Sequence, residues 1–245
     1  MTDPRLEAEI AAQPHAVVYA TLVGEQLYGF DGPDSDPDLR AAHVLPVRDV
    51  VGLRAPRESI AYTAHRDGLD FEFLSHEIKK ICLMLLKKNG AILEQIHSSL
   101  VVRTTPGHEE LKEVSRGCLS RHMARHYLSH AEMQWSLHGS SPRVKPLLHT
   151  YRVLLTGTHL MRAGELETDL PRLGEIFGLG YVPGLVARRK EALTSAEAAF
   201  HEEEHRRLRG ALEEAARRSP LPAQAPDGAR DRLEDLLVRL RLGEA

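Results

Sequence analysis

Apolar residues fall into short runs in the first hundred positions and into long, spaced stripes after them. Ala16–Val23 (AVVYATLV) is a compact run rich in β-branched side chains between Pro14 and Gly24, and it predicts a buried strand. Gly24–Phe30 and the turn-forming Asp31-Gly32-Pro33-Asp34 follow. A second strand is expected from about Asp36 to Leu45 and a third from Leu69 to Leu74. Ile78, Ile81, Cys82 and Leu85 then recur at helical spacing. Ser75 is the expected N-cap of that helix, with Glu77 in the first turn, where the helix dipole favours an anion. Lys87 and Lys88 sit in its last turn and Asn89-Gly90 reads as a left-handed stop. A short helix, Ala91–His97, and a strand-like Leu100–Val102 close this half.

Thr105-Pro106 opens the second half with a cap and a first-turn proline. The spacing predicts helices over Glu109–Leu137, Lys145–Ala163, Leu170–Phe177, Glu191–Arg218 and Ala229–Leu240, with Ser219–Gly228 as a linker before the last. Strands first and helices afterwards imply an α+β protein: a small mixed-sheet domain over residues 1–103 and a helical domain over 104–245 that closes one side of a cleft. Leu233, Leu236, Leu237 and Leu240 form a stripe expected to bury against this chain or a second copy of it, which would make a homo-oligomer.

The 245 residues are 42% apolar, enough for real cores, and the formal net charge of −3 argues against a surface dedicated to nucleic acid while leaving room for a local basic patch. Two cysteines, Cys82 and Cys118, rule out a disulfide framework or a four-cysteine zinc site and suit a reducing cytoplasm. The first thirteen residues lack the apolar core of a signal segment, and the longest apolar run, Ile81–Leu86, is too short to span a bilayer. A cytoplasmic protein is expected.

The chemistry gathers in Asp36-Pro37-Asp38 and Asp70-Phe71-Glu72. Alternation along a strand puts Asp36 and Asp38 on one side, and Asp70 and Glu72 on one side with Phe71 and Phe73 on the other. If the two strands pair, up to four carboxylates converge. Such a cluster repels itself unless neutralised, and a hard divalent cation, Mg²⁺ or Mn²⁺, is its natural partner. The bland alternative is that the aspartates decorate a solvated turn.

Gly24–Leu53, with its Tyr28-Gly29 loop and its Ser35-Asp36-Pro37-Asp38-Leu39-Arg40 string, resembles the nucleotide-binding motif of the DNA-polymerase-β-like nucleotidyltransferase superfamily. The likeness is greatest to the bacterial branch that includes RNA-repair-associated members. It continues through Ser75-His76-Glu77, Leu85–Gln95, His126-Tyr127-Leu128, Arg143–Leu148 and Leu237–Leu242. The resemblance implies transfer of a nucleoside monophosphate from an NTP to an acceptor hydroxyl, on RNA, protein or a small molecule, with release of pyrophosphate. It implies Asp36 and Asp38 as paired magnesium ligands and Glu72 as the third acid, with Asp70 the alternative. Gly24 would admit the triphosphate, Ser35 and Arg40 would support the acidic loop or the phosphates, and Lys145 would bind the nucleotide.

The chain departs from this pattern at Glu25, where Ser or Gly is expected beside the triphosphate. Two unit charges about 4 Å apart at an effective dielectric of about 20 repel by about 4 kcal/mol. Pro37 within the acidic motif and Ala41 in place of Gly are further departures, and together they motivate a competing reading: a catalytically degenerate nucleotide- or RNA-binding protein of the same fold. His122, His126 and His130, spaced four apart, suggest histidines within a helix interface, a cleft-lining face, or a zinc site of a hydrolase.

Overall fold

The computed structural model describes residues 3–140 and 143–244. Helix α1 (Pro4–Ala11) precedes β1 (Ala16–Val23), the single turn α2 (Glu25–Tyr28), β2 (Asp38–Val44) and the turn α3 (Val47–Val50). Next come β3 (Ser59–Arg66), β4 (Leu69–Glu77), α4 (Ile78–Leu86), α5 (Gly90–Ile96), β5 (Val101–Arg103) and α6 (Pro106–Arg116). The rest is helical: α7 (Ala124–Ser140), α8 (Val144–Ala163), α9 (Leu170–Ile176), α10 (Val182–Ala187), α11 (Ser195–Arg218) and α12 (Gly228–Leu242). This is the expected α+β class.

Packing divides the chain into two compact units. The chain up to Leu27, Gly32–Cys118 and the chain from Ala225 onward form one, and Tyr28–Asp31 with Leu119–Gln224 form the other. Division at residues 103 and 104 follows the change in secondary-structure type, whereas the contacts keep α6 and α12 with the sheet.

In the first unit five strands lie in the order β3-β4-β2-β1-β5, with β2 and β4 parallel and the other neighbours antiparallel. One face is apolar: Ala20, Leu39, Ala41, Phe71 and Phe73 pack with Leu6 and Ile10 of α1. That helix starts on an Asp3 N-cap with Pro4 in its first turn, an element not among those expected from the sequence. Strand β3 was also unforeseen. Its alternation of Ile60, Tyr62 and Ala64 with polar residues, followed by Asp67-Gly68, is a hairpin signature. Both turn residues have positive φ, 47° and 79°, as a two-residue type I′ turn demands, and Arg66 pairs with Leu69 across it.

Several expected boundaries shift. Strand β4 runs on to Glu77, so Ser75 is a strand residue, and Glu77 is the N-cap of α4, its Oε2 accepting from the Lys79 amide at 2.7 Å. The left-handed residue after α4 is Lys88 (φ 63°), and Asn89 instead caps α5, which begins at Gly90. The helix expected over Glu109–Leu137 is two helices, interrupted by Gly117-Cys118 and a 3₁₀ turn at Arg121–Met123. Helix α11 starts at Ser195, because Thr194 and Glu197 form a reciprocal capping box.

The apolar stripe of α12 is satisfied within the chain: Leu233, Leu236 and Leu237 are buried. Each such burial is worth about 1.5–3 kcal/mol. Arg241 of α12 also donates to the buried Glu77 carboxylate at 2.7 Å. Losing one partner there would strand a buried charge, a cost of about 3–5 kcal/mol.

The second unit is built around α8, which is buried along most of its length. At Gly157 a Cβ would come within 2.7 Å of the Tyr127 Cβ on α7, so a side chain there would force α7 away. Within this unit the Arg152 guanidinium lies 3.8 Å from the centre of the Tyr28 ring, and the capping of α9 is by Asp169. No helix among the described residues is long and apolar enough to cross a membrane.

Candidate active site

Strand β1 ends at Val23, and Gly24 turns the chain with φ +74°. A Cβ on Gly24 would lie 2.1 Å from Asp38 Oδ2, so this position needs glycine both for its left-handed backbone and for space. The close approach sets the Gly24 backbone against one carboxylate of the acidic motif. Gly24→Ala is expected to destabilise the first unit by about 1–2 kcal/mol through backbone strain and to push the Asp38 carboxylate off its position. A thermal melt checks the first effect, and a variant as stable as the wild type would contradict it.

The parallel pairing of β2 and β4 sets Asp38 directly opposite Glu72, with Leu39 opposite Phe73 on the core side. The two carboxylates therefore share the face of the sheet opposite that core, on a stretch of it that is partly exposed. Arg40, two residues along β2 and on the same face, donates from a single nitrogen, Nη2, to Asp38 Oδ1 at 3.2 Å and Glu72 Oε1 at 2.9 Å. Two acidic oxygens thus point at one locus of positive charge. Glu72 is the more open of the pair, its side chain 56% exposed against 33% for Asp38.

Asp36 lies on the exposed approach to β2, which begins at Asp38, two residues later than the sequence suggests. Pro37 consequently stands just outside the strand, where its missing N–H costs nothing, and its carbonyl accepts from the Glu72 amide at 3.0 Å. Asp70 shares the face of Glu72 but is held by His65 of β3, Nδ1 to Oδ1 2.8 Å. The structure therefore brings Asp38 and Glu72 together and ties Asp70 to the edge strand.

Glu25 is engaged by the loop that carries the acids. Ser35 Oγ donates to Glu25 Oε2 at 2.7 Å and accepts from the Gly32 amide at 3.1 Å. The Ser35 hydroxyl thus supports the acidic loop, with Glu25 as its anchor.

Lys145 stands exposed in the first turn of α8, in the second unit. Of the three histidines, His122 belongs to the 3₁₀ turn, while His126 and His130 lie on α7 with ring centres 5.9 Å apart. Burial and the nearby Arg152 push His130 down to about 4, so it is neutral at physiological pH.

Among the described residues no group of three or more His, Cys, Asp or Glu side chains stands together as a metal site. What converges is the Asp38–Glu72 pair, two hard carboxylate oxygens aimed at one point and bridged by a guanidinium. Carboxylate oxygens are the ligand type that Mg²⁺ or Mn²⁺ takes, with waters or substrate oxygens completing the octahedron.

The chain belongs to the RNA repair pathway DNA polymerase beta family, RlaP, whose sequence profile matches residues 2–239. A relative, the uncharacterized protein MJ0002 of Methanocaldococcus jannaschii, is 25% identical over 154 residues, 62% of this chain, and the match spans 63% of that relative's length. Among solved structures, a nucleotidyltransferase-like protein from Exiguobacterium sibiricum 255-15 aligns with 98% of this chain and 74% of its own, at 13% identity and a TM-score of 0.32.

Ser59 and His65 were not singled out in the sequence, because the strand that carries them was not expected. The period-two alternation of β3 before Asp67-Gly68 was the available signal.

Proposed function

We propose that this protein transfers a nucleoside monophosphate from an NTP to an acceptor hydroxyl, releasing pyrophosphate, with Asp38 and Glu72 at the centre of the reaction. The observation that carries this reading is the in-register pairing of the two carboxylates, both within hydrogen-bond reach of one Arg40 nitrogen. Asp38 and Glu72, joined by Asp36 from the loop before β2, would hold Mg²⁺ or Mn²⁺. Bound there, the cation supplies neutralisation of the triphosphate and of the leaving pyrophosphate.

The chain's own groups do the rest. Glu72, the more open acid, accepts the proton of the acceptor hydroxyl. The hydroxyl oxygen forms a bond to the α-phosphorus as the bond to the bridging oxygen breaks, and pyrophosphate leaves. Arg40, released from the carboxylates, turns its guanidinium to the phosphate oxygens. Gly24 keeps the loop backbone low enough for the triphosphate to approach. Lys145 is a further nucleotide-binding candidate, and the family description favours an RNA end as the acceptor.

The test is pyrophosphate release on incubation with each NTP, Mg²⁺ or Mn²⁺, and RNA carrying free 3′-hydroxyl or 5′-hydroxyl ends. Release with one acceptor, abolished by Asp38→Asn, supports the reading; none with any combination of nucleotide, cation and acceptor overturns it.

Glu25 favours a second reading, a nucleotide- or RNA-binding protein that has lost catalysis. Its carboxylate stands in the loop where a triphosphate would bind and is held there by Ser35. Glu25→Ser is expected to tighten NTP binding by about tenfold, less than full Coulomb repulsion would give, because the side chain is half-buried and hydrogen-bonded. Equilibrium dialysis with ATP measures this. Catalysis appearing only in the Glu25→Ser protein would establish the degenerate reading.

A further inference from the structure

The sheet face that holds Asp38 and Glu72 changes character further along the same strands. Beyond the acid pair come Arg40 and Leu74, and beyond these His76, which pairs across β4 with Ser59 of β3. His76 is four residues from Glu72 on β4, about 13 Å at about 3.3 Å per residue, and both side chains project from the same face. Lys80, from the first turn of α4, reaches this point.

One of the two hydrogen bonds there has a fixed direction. Lys80 Nζ can only donate, and it donates to Ser59 Oγ at 2.7 Å. The Ser59 hydroxyl can then give its own proton to His76 Nδ1, 2.9 Å away, and this is the tautomer the subsite requires. With Nδ1 accepting, a neutral His76 carries its proton on Nε2. Burial, with Lys80, His43 and Arg40 nearby, holds that ring neutral down to about 4. What results is a set of donors: the Nε2–H of His76 and the remaining ammonium protons of Lys80. Among the described residues no carboxylate pairs with Lys80. All three residues are only partly buried, so an anion can reach them.

We propose that Ser59, His76 and Lys80 form a phosphoryl-binding subsite for the substrate, on the same sheet face as the Asp38–Glu72 pair. The subsite takes an oxyanion with several acceptors, matching a compact ammonium and a neutral imidazole donor. Its ligand is a phosphoryl group at a distance from the reacting phosphorus, supplied either by the tail of the NTP or by a phosphate on the acceptor. The inference rests on the nucleotidyl-transfer reading for its biological role, but the binding it describes needs no catalysis.

The test measures binding to metal-free protein in chelator, using inorganic tripolyphosphate, ATP, AMP, and a short RNA with a 5′-phosphate or a 5′-hydroxyl. Lys80→Gln is expected to weaken binding of the true ligand about tenfold or more, the loss of one charge-assisted contact. Lys80→Arg should retain binding within about threefold and His76→Gln should weaken it in part, since each keeps a donor. A Lys80→Gln defect for tripolyphosphate and ATP identifies the NTP tail, and a defect confined to the 5′-phosphorylated RNA identifies the acceptor. Thermal melts within a few degrees of wild type, expected because these are partly exposed contacts, separate a binding role from a clamp between β3 and α4. Wild-type protein that binds none of these probes, or a Lys80→Gln protein that is stable and binds them equally well, overturns the proposal. The two readings fail separately. Lys80-dependent binding without pyrophosphate release under any condition removes the catalytic reading alone, and full activity with an indifferent Lys80 removes the subsite alone.

Discussion

Asp38→Asn is expected to lower nucleotidyl transfer by at least about a thousandfold, or ~4 kcal/mol at about 1.36 kcal/mol per decade. The substitution keeps the size and one acceptor oxygen of the side chain and removes its charge. In the ground state little is lost: the Asp38–Arg40 pair is partly exposed, and such pairs contribute about 0–1 kcal/mol. The damage falls on the cation and on the charge that builds during phosphoryl transfer, where one ligand carboxylate is worth several kcal/mol. Glu72→Gln should match it, because Glu72 stands in register and shares the same Arg40 nitrogen. Asp70→Asn should cost less than about tenfold, since Asp70 is already committed to His65 and the sheet edge. Pyrophosphate release measured on the three proteins at equal folded concentration makes the comparison. An Asp38→Asn protein that turns over undiminished would end the proposed role of the pair.

The second large effect is acid destabilisation between about pH 6.5 and pH 4. Burial lowers His43, His76, His97 and His130 each to about 4, aided by neighbouring cations such as Arg116 at His97. His108, His138, His201 and His205 are lowered in the same direction, again by burial first. For each, the folded chain prefers the neutral ring and the unfolded chain takes up a proton near pH 6.5. Stability from these groups is whole above that value and drains away as pH falls through the window to the folded value. A tenfold change in proton affinity is worth about 1.4 kcal/mol, so the almost fully buried His43 alone carries up to about 3 kcal/mol. The partly exposed rings carry less. Together they sum to an order of 5 kcal/mol, comparable with the whole stability of a typical domain. The urea midpoint should fall steeply between pH 7 and pH 4.5 in both units. The strongly lowered carboxylate, Glu197, titrates below this range, so a midpoint that stayed level until pH 4 would refute the histidine account.

The shared face of Asp70 and Glu72 was legible in the sequence because strand alternation is local. Asp70 and Glu72 must share a face opposite Phe71 and Phe73 wherever the strand goes, and the β-branched run before Gly24 could hardly be anything but a strand. Capping at Thr105 and the periodic stripes of α4, α8 and α12 were legible for the same reason. The turn around Lys88 to Gly90 was not: Asn89-Gly90 fits a helix stop and a helix start equally well, and Asn89 became the cap of α5 because packing placed the next helix there. The break between α6 and α7 likewise depended on the fold. Gly117 is tolerated inside a helix at modest cost and here keeps a right-handed helical backbone, so its presence in the sequence does not mark the break.

Residue order by itself determined the α+β class, the elements that carry the acids and the side of each strand on which they stand, because these follow from periods of two and 3.6 residues and from local capping and turn signals. Tertiary structure alone decided which acid meets Asp38, where Arg40 points, that Asp70 goes to His65, and that Ser59, His76 and Lys80 come together from β3, β4 and α4. Register between strands far apart in the chain is set by the burial of a whole sheet face, a sum over many side chains that no local pattern contains.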